Sequence, residues 1–204
     1  MFLADALALD FLNSVAVPVD TQVEWLASGE DFVDWLRDAG LATPEELKAV
    51  CDAAGPGELD AVAAQARALR EWFRAFVRQH KGARLTRKAM KELEPLNRLL
   101  ARDEEFDQVE VRDKQSSGPD DPSELTWVRR RRWRSPDTLL LPLAKAMAEL
   151  LATADFTQVK ACEGPACTLL FLDTSRGRIR RWCSMAVCGN RAKQAAHRVR
   201  AGGG

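Results

Sequence analysis

Cysteine is the residue type whose spacing could do chemistry in this chain. Five occur in 204 residues, and four of them, Cys162, Cys167, Cys183 and Cys188, form two C-x4-C pairs with fifteen residues between the pairs. Four thiolates complete a tetrahedral Zn2+ shell at roughly 2.3 Å each and leave no position open for water or substrate. The spacing therefore predicts a structural zinc site. Paired cysteines in a reducing compartment hold metal more often than they form disulfides. A segment this short buries too little apolar surface to order itself, so metal binding is expected to fold it. Four thiolates around a dication leave a local charge of about −2. Arg180 and Arg181, beside Cys183, are placed to neutralise part of it.

The surroundings of the cysteines are basic. The formal net charge is zero, yet the residues after Asp155 hold nine basic and two acidic side chains. A body of about −7 thus carries a tail of about +7, which points to an anionic partner for the tail. Between the cysteine pairs, "TLLFLDTSRGRIRRW" reads as two short strands around a Ser175-Arg176-Gly177 turn, with Leu170 and Phe171 inward. After Cys188, "GNRAKQAAHRVR" reads as a helix with the last ligand at its first turn. A knuckle, a hairpin and a helix make a treble-clef-like module. On that helix Arg191, Gln194 or Ala195, and Arg198 share one face, and Asn190, Lys193, His197 and Arg200 share the next. Arginine reads guanine and asparagine reads adenine in the major groove. Arg176, Arg178, Arg180 and Arg181 are the candidate phosphate contacts. The competing reading of the helix is a solvated basic face that only completes the zinc fold.

The elements ahead of the module are mostly helical. "MFLADALALDFLNSVAV" lacks a basic leader and is interrupted by Asp5 and Asp10, so it reads as a buried helix and not a signal peptide. Ser28 with Asp31, and Thr43 with Pro44 and Glu46, mark two helix starts. The longest helix is expected from Glu58 to His80, with Val62, Leu69, Trp72, Phe73, Phe76 and Val77 as its apolar stripe. Thr86 begins another that carries Met90, Leu93, Leu96 and Leu99, and Pro95 must kink or divide it. Two alternating runs, "DQVEVRD" and "ELTWVRRRRWR", read as strands of a hairpin joined by the polar "KQSSGPDDPS". Strand geometry sends Arg129 to Arg132 to alternate faces, so the run is not one basic patch; edge protection is the favoured reading and a nucleic-acid contact the alternative. Ser135 and Pro136 open a last helix of the body, which Pro142 is expected to bend. Cys51 reads as a small buried apolar residue.

The C-terminal "RRWCSMAVCGNRAK", with the upstream C-x4-C and "FLDTS", resembles the CGNR zinc fingers of bacteria, named for the tetrapeptide that is here Cys188 to Arg191. The opening "LALDFLNSV" is similar to the start of the ABATE region that precedes that zinc finger. The resemblance covers essentially the whole chain. It implies an all-cysteine zinc site at Cys162, Cys167, Cys183 and Cys188, and a proposed role in stress-related transcriptional regulation.

The expected fold is α+β, mainly α. Residues 1–155 form a helical sensor or dimerisation domain with one β-hairpin, and residues 156–204 form the zinc module. The expected function is a non-enzymatic transcriptional regulator whose module contacts double-stranded DNA. The N-terminal domain leaves room for a homodimer and a small-molecule effector. The alternative is a zinc-stabilised protein-interaction or RNA-binding module, although Trp182 and Phe171, its aromatics, are better placed for a core than for stacking on bases. No H-E-x-x-H, G-x-S-x-G or phosphate loop is present, and a closed zinc shell offers no catalytic position. No run of eighteen apolar residues occurs, so the chain is expected to be cytoplasmic without a membrane span.

Overall fold

The computed structural model describes residues 2–17, 21–111 and 125–201, and covers the backbone alone at 196, 197 and 199–201. The polar connection 114–123 lies outside the described residues. The opening apolar run folds as a six-residue helix, α1 (Leu7–Leu12), shorter than the sequence suggests. Asn13 ends it by turning its amide to a distant strand, and the β-branched Val15 then enters β1 (Val15–Ala16), paired antiparallel with β2 (Val23–Glu24). Asp10, buried on α1, accepts hydrogen bonds from the Leu3 and Ala4 amides at 2.7 and 3.0 Å. Burial raises its carboxyl above the usual range although those amides oppose the shift.

Both expected capping boxes are present. Ser28 with Asp31 opens α2 (Gly29–Asp38), and Thr43 with Glu46 opens α3 (Pro44–Ala53), Pro44 occupying the first turn. Cys51 on α3 is only partly buried, in contrast to the reading as a core residue. Gly57, at φ +76°, supplies the left-handed residue from which α4 (Glu58–His80) starts. Val62, Phe73, Phe76 and Val77 of α4 are buried as the stripe requires, with Leu69 and Trp72 at its margin.

Pro95 divides the next segment. A 3-10 turn (Ala89–Leu93) precedes α5 (Glu94–Leu100), whose first turn tolerates the proline because its N–H would have no partner there. Met90 points outward, unlike Leu93 and Leu96. Strands β3 (Glu105–Val111) and β4 (Leu125–Arg131) form the expected antiparallel hairpin, with Val109 opposite Trp127 and Val111 opposite Leu125. This apolar row faces outward, and Trp127 is 70% exposed. Trp133 lies beyond the strand and packs against the core. The arginine run is matched by acidic partners: Arg129 by Asp107, Arg130 by Glu110, Arg131 by Asp103 and Glu105, and Arg132 by Glu104. Pro142 does not bend a helix as expected. A 3-10 turn (Pro136–Leu140) comes first and α6 starts at Leu141 (Leu141–Thr153), so the proline falls in its first turn.

After α6 the chain forms β5 (Val159–Ala161), paired antiparallel with β6 (Leu170–Leu172). The Asn13 side chain joins this hairpin to α1: its Nδ2 donates to the Leu170 carbonyl at 2.8 Å, and its Oδ1 accepts from the Leu170 amide at 3.0 Å. The Leu172 amide also donates to the Ala4 carbonyl at 2.8 Å. One continuous apolar core runs from Leu9, Phe73 and Met147 through Phe156 to Leu170 and Phe171. The chain is mainly α-helical with small β-hairpins and ends in a small zinc module. Asn13→Ala leaves both Leu170 backbone groups buried without partners, and an unsatisfied buried group costs about 1–3 kcal/mol. Urea denaturation is expected to show a loss of about 2 kcal/mol, and an unchanged midpoint would mean that the Asn13 bridge contributes nothing.

Candidate metal centre

The four cysteine sulfurs lie within 4.8 Å of one another, brought there by three separate pieces of backbone. Cys162 and Cys167 sit in the knuckle between β5 and β6. Cys183 follows the 173–182 loop, and Cys188 lies in a wide π-type turn (Met185–Gly189) that leads into α7 (Asn190–Ala201). The Sγ–Sγ distances are 3.8 Å for Cys167 and Cys183 and 3.6 Å for Cys183 and Cys188. A tetrahedral shell with bonds of roughly 2.3 Å requires sulfurs about 3.8 Å apart, so the residues fit zinc. Backbone amides of Gly164 and Cys183 donate to the Cys162 sulfur at 3.5 and 3.3 Å. A Cβ on Gly164 would stand 3.0 Å from the Cys188 sulfur and 3.1 Å from Cys167 Cβ, so the knuckle needs glycine there.

The clustered thiols shift one another's protonation. The hydrogen bond from Cys183 lowers Cys167 to about 5. That same bond, then burial and the adjacent thiolate, drive Cys183 far above the normal thiol value. Burial above all pushes Cys188 up to about 12. Four thiolates in one small volume repel one another, and a dication among the sulfurs offsets that repulsion.

The expected strand pair around Ser175-Arg176-Gly177 is not what forms. β6 pairs with β5 instead, and residues 178–182 form a loop without a strand partner among the described residues. The left-handed residue of the turn is Arg178, at φ +49°, and not Gly177. The reason is a polar knot centred on Asp173, whose carboxylate is buried. It accepts from Lys160 Nζ at 2.6 Å, from the Ser175 amide at 3.0 Å and hydroxyl at 2.5 Å, and from the Arg180 amide at 2.9 Å. Burial works against its charge, but Lys160 and the other donors outweigh it and hold the carboxyl below the usual carboxylate range. The Ser175 and Arg180 amides are satisfied by Asp173 and the Arg178 amide by the Ser175 carbonyl, so these groups need no second strand.

The candidate basic residues divide into three groups. Arg180 is consumed inside the protein. It donates to the carbonyls of Trp182, Leu3 and Cys183 and to Asp5, and its guanidinium stacks 4.3 Å from the centre of the buried Phe171 ring. Arg178 and Arg181 are exposed and paired with Asp155 and Glu163. Arg176, Lys193 and Arg198 are exposed. Asn190 is exposed, and its Nδ2 donates to the Ala186 carbonyl at 3.3 Å. Arg191 is exposed on α7, and the Arg200 side chain lies outside the described residues. Trp182 is half-buried beneath Arg181. Asp173 and Lys160 went unrecognised in the sequence as site residues. The "FLDTS" string was the available signal, an aspartate directly after a buried apolar strand and two residues before a turn serine.

A family model described as "Putative stress-induced transcription regulator", ABATE, matches residues 5–154. A second, described as CGNR zinc finger, matches residues 158–201. No curated protein matches the chain. Zn2+ is the cofactor indicated jointly by the zinc-finger match and the four clustered sulfurs.

Proposed function

The chain belongs to the ABATE family and ends in a CGNR zinc finger, and from that premise we propose that it is a non-enzymatic transcriptional regulator in which Cys162, Cys167, Cys183 and Cys188 hold zinc and the module contacts duplex DNA. The observation that carries the proposal is the placement of α7. It leaves the metal-bearing turn directly, with Arg191, Lys193 and Arg198 on exposed positions and no acidic residue along it. Zinc supplies the fixed base of the helix. Exposed ion pairs are worth little, so Arg178 and Arg181 can exchange Asp155 and Glu163 for phosphates. Arg180 is a brace and not a contact in this reading. Residues 1–155 serve as sensor or dimerisation domain, and 156–204 as the reader. The outward row of Val109, Val111, Leu125 and Trp127, flanked by Asp107 and Arg129, offers a self-complementary face for a homodimer.

The test is the salt dependence of duplex binding by the zinc-loaded protein. About five phosphate contacts give a slope near −4.5 in log affinity against log salt, at about −0.9 per contact. Arg176→Gln is expected to flatten the slope by about one and to weaken all sequences alike. Arg191→Gln is expected to reduce discrimination for a selected site by about 1–3 kcal/mol if it reads a base. Absence of salt-dependent binding to any duplex would overturn the DNA reading. A second reading, a protein partner, is favoured by Ile179, 80% exposed, with Met185 and Val187 also exposed near a cleft of about 370 Å³ lined by Trp182.

A further inference from the structure

A cleft of about 310 Å³ opens where β1, β2 and α4 meet the zinc module, the last represented by Thr168, the residue after Cys167. Its volume is that of about ten water molecules. Three arginines one helical turn apart, Arg70, Arg74 and Arg78, line it with Glu24 and Glu71. The cations differ in how completely they are matched. Arg70 is satisfied: both its terminal nitrogens donate to Glu24 at 2.7 and 2.6 Å, one also donates to Ser14 Oγ at 2.9 Å, and its Nε donates to Glu71. Arg74 is not. Its side chain is only 7% exposed, its Nε shares Glu71 with Arg70, and one Nη2 bond goes to the Leu12 carbonyl. Its Nη1 has no partner among the described residues and is not sealed from solvent. Arg78, exposed at the rim, has neither ion pair nor hydrogen bond among them.

Among the described residues the cleft therefore holds three guanidinium groups against two carboxylates. A nearly buried arginine that lines such a cleft, with one nitrogen unpartnered among the described residues, is what an oxyanion needs, since charge-assisted bonds there are strong and planar. Burial pulls the Arg74 guanidinium below the ordinary arginine value, and Arg70 and Arg78 add to that pull while Glu71 opposes it. A bound anion would remove the imbalance.

We propose that this cleft binds a small organic oxyanion, a carboxylate or a phosphate ester, through Arg74 Nη1 and Arg78, with the Thr168 hydroxyl at its edge. The site lies on the seam between body and zinc module. Arg74 and Arg70 hold Leu12 and Ser14, and between those two residues stands Asn13, whose amide locks the Leu170 backbone three residues after Cys167. An anion that draws on Arg74 thus acts on the segment that fixes the module to the body. Only this regulatory consequence rests on the reading of the module as a DNA contact; the binding does not.

The test is calorimetric titration of the zinc-loaded full chain, without DNA, with succinate, acetate and inorganic phosphate, each against chloride at matched ionic strength. One site per chain is expected for at least one oxyanion, and the preferred probe distinguishes a carboxylate from a phosphate ligand. Arg78→Gln, at an exposed residue with no partner among the described residues, is expected to weaken that binding about tenfold with the zinc content unchanged. In the wild type, the bound oxyanion is expected to slow zinc transfer to a chelator several-fold. Oxyanions indistinguishable from chloride, or an Arg78→Gln protein that binds as tightly as wild type, would overturn the proposal. Either result leaves the DNA reading intact, because no nucleic acid is present.

Discussion

Removal of zinc is expected to dissolve the module while the helical body keeps most of its secondary structure. Apparent binding free energies for structural zinc in small modules are roughly 10–16 kcal/mol, far more than any single contact here supplies. Without the ion, sulfurs 3.6 to 3.8 Å apart have no reason to converge, and α7 loses the turn from which it starts. Leu170 and Phe171 then leave the seat that α1 provides, so the body should lose stability as well as the tail. Metal analysis of protein with reduced thiols should find about one zinc per chain. Chelation should open the amides after residue 160 to hydrogen exchange and spare those of α2 to α6. Protein purified with reduced thiols and no zinc would end the metal assignment, and exchange spreading at once through α4 would show that the module and the body fold only together.

The parts of the molecule that were legible beforehand are those fixed by local rules. Capping at Ser28 and Thr43, the division at Pro95 and the period of α4 each depend on residues within one or two turns, so the sequence carries them openly. The four cysteines are legible for another reason. Zinc geometry allows few spacings, and two C-x4-C pairs form one of them.

What could not be read depends on partners far along the chain. Nothing local tells that Asn13 meets Leu170, 157 residues away, or that the helix around it must stop there. The 173–182 loop misled for the same reason, since a strand pair and a loop tied to a buried carboxylate share one apolar and polar pattern. The basic tail shows the limit most plainly. Nine cations counted in sequence look equivalent, yet Arg180 is locked between Asp5 and Cys183, Lys160 neutralises Asp173, and Arg178 and Arg181 already face carboxylates. Charge excess is a property of composition, whereas availability is a property of the fold. Similarly, Arg74 and Arg78 belong to a helix that looks only amphipathic until β1 and Thr168 close a cleft over it.

Replacing Asp173 should cost the module more than replacing any exposed residue in it, because one buried carboxylate accepts four hydrogen bonds from three points of the loop and from β5. In Asp173→Asn the Lys160 ammonium loses its counter-charge, and the amide nitrogen faces backbone N–H groups that need an acceptor. Removing one partner of a buried, hydrogen-bonded pair costs about 3–5 kcal/mol, and Lys160, which is 29% exposed, can recover part of that by hydration. A loss of about 3 kcal/mol is the expected result, read from urea midpoints of zinc-loaded protein at constant slope. The pH dependence follows from the sign of the shift. The folded-state carboxyl lies below its unfolded value of about 3.9, so its stabilisation is fully present above that value and is lost as pH falls through the folded value. The difference between wild type and Asp173→Asn should therefore stay constant from pH 8 to about pH 5 and narrow only below about pH 4. Asp173→Glu keeps the charge but moves it by one methylene, and it should recover less than half of the loss if the four bonds matter as a set. A variant as stable as wild type at pH 7 would mean that zinc alone organises the 173–182 loop, and the conformation of Arg178 and the position of Arg180 would then need a different cause.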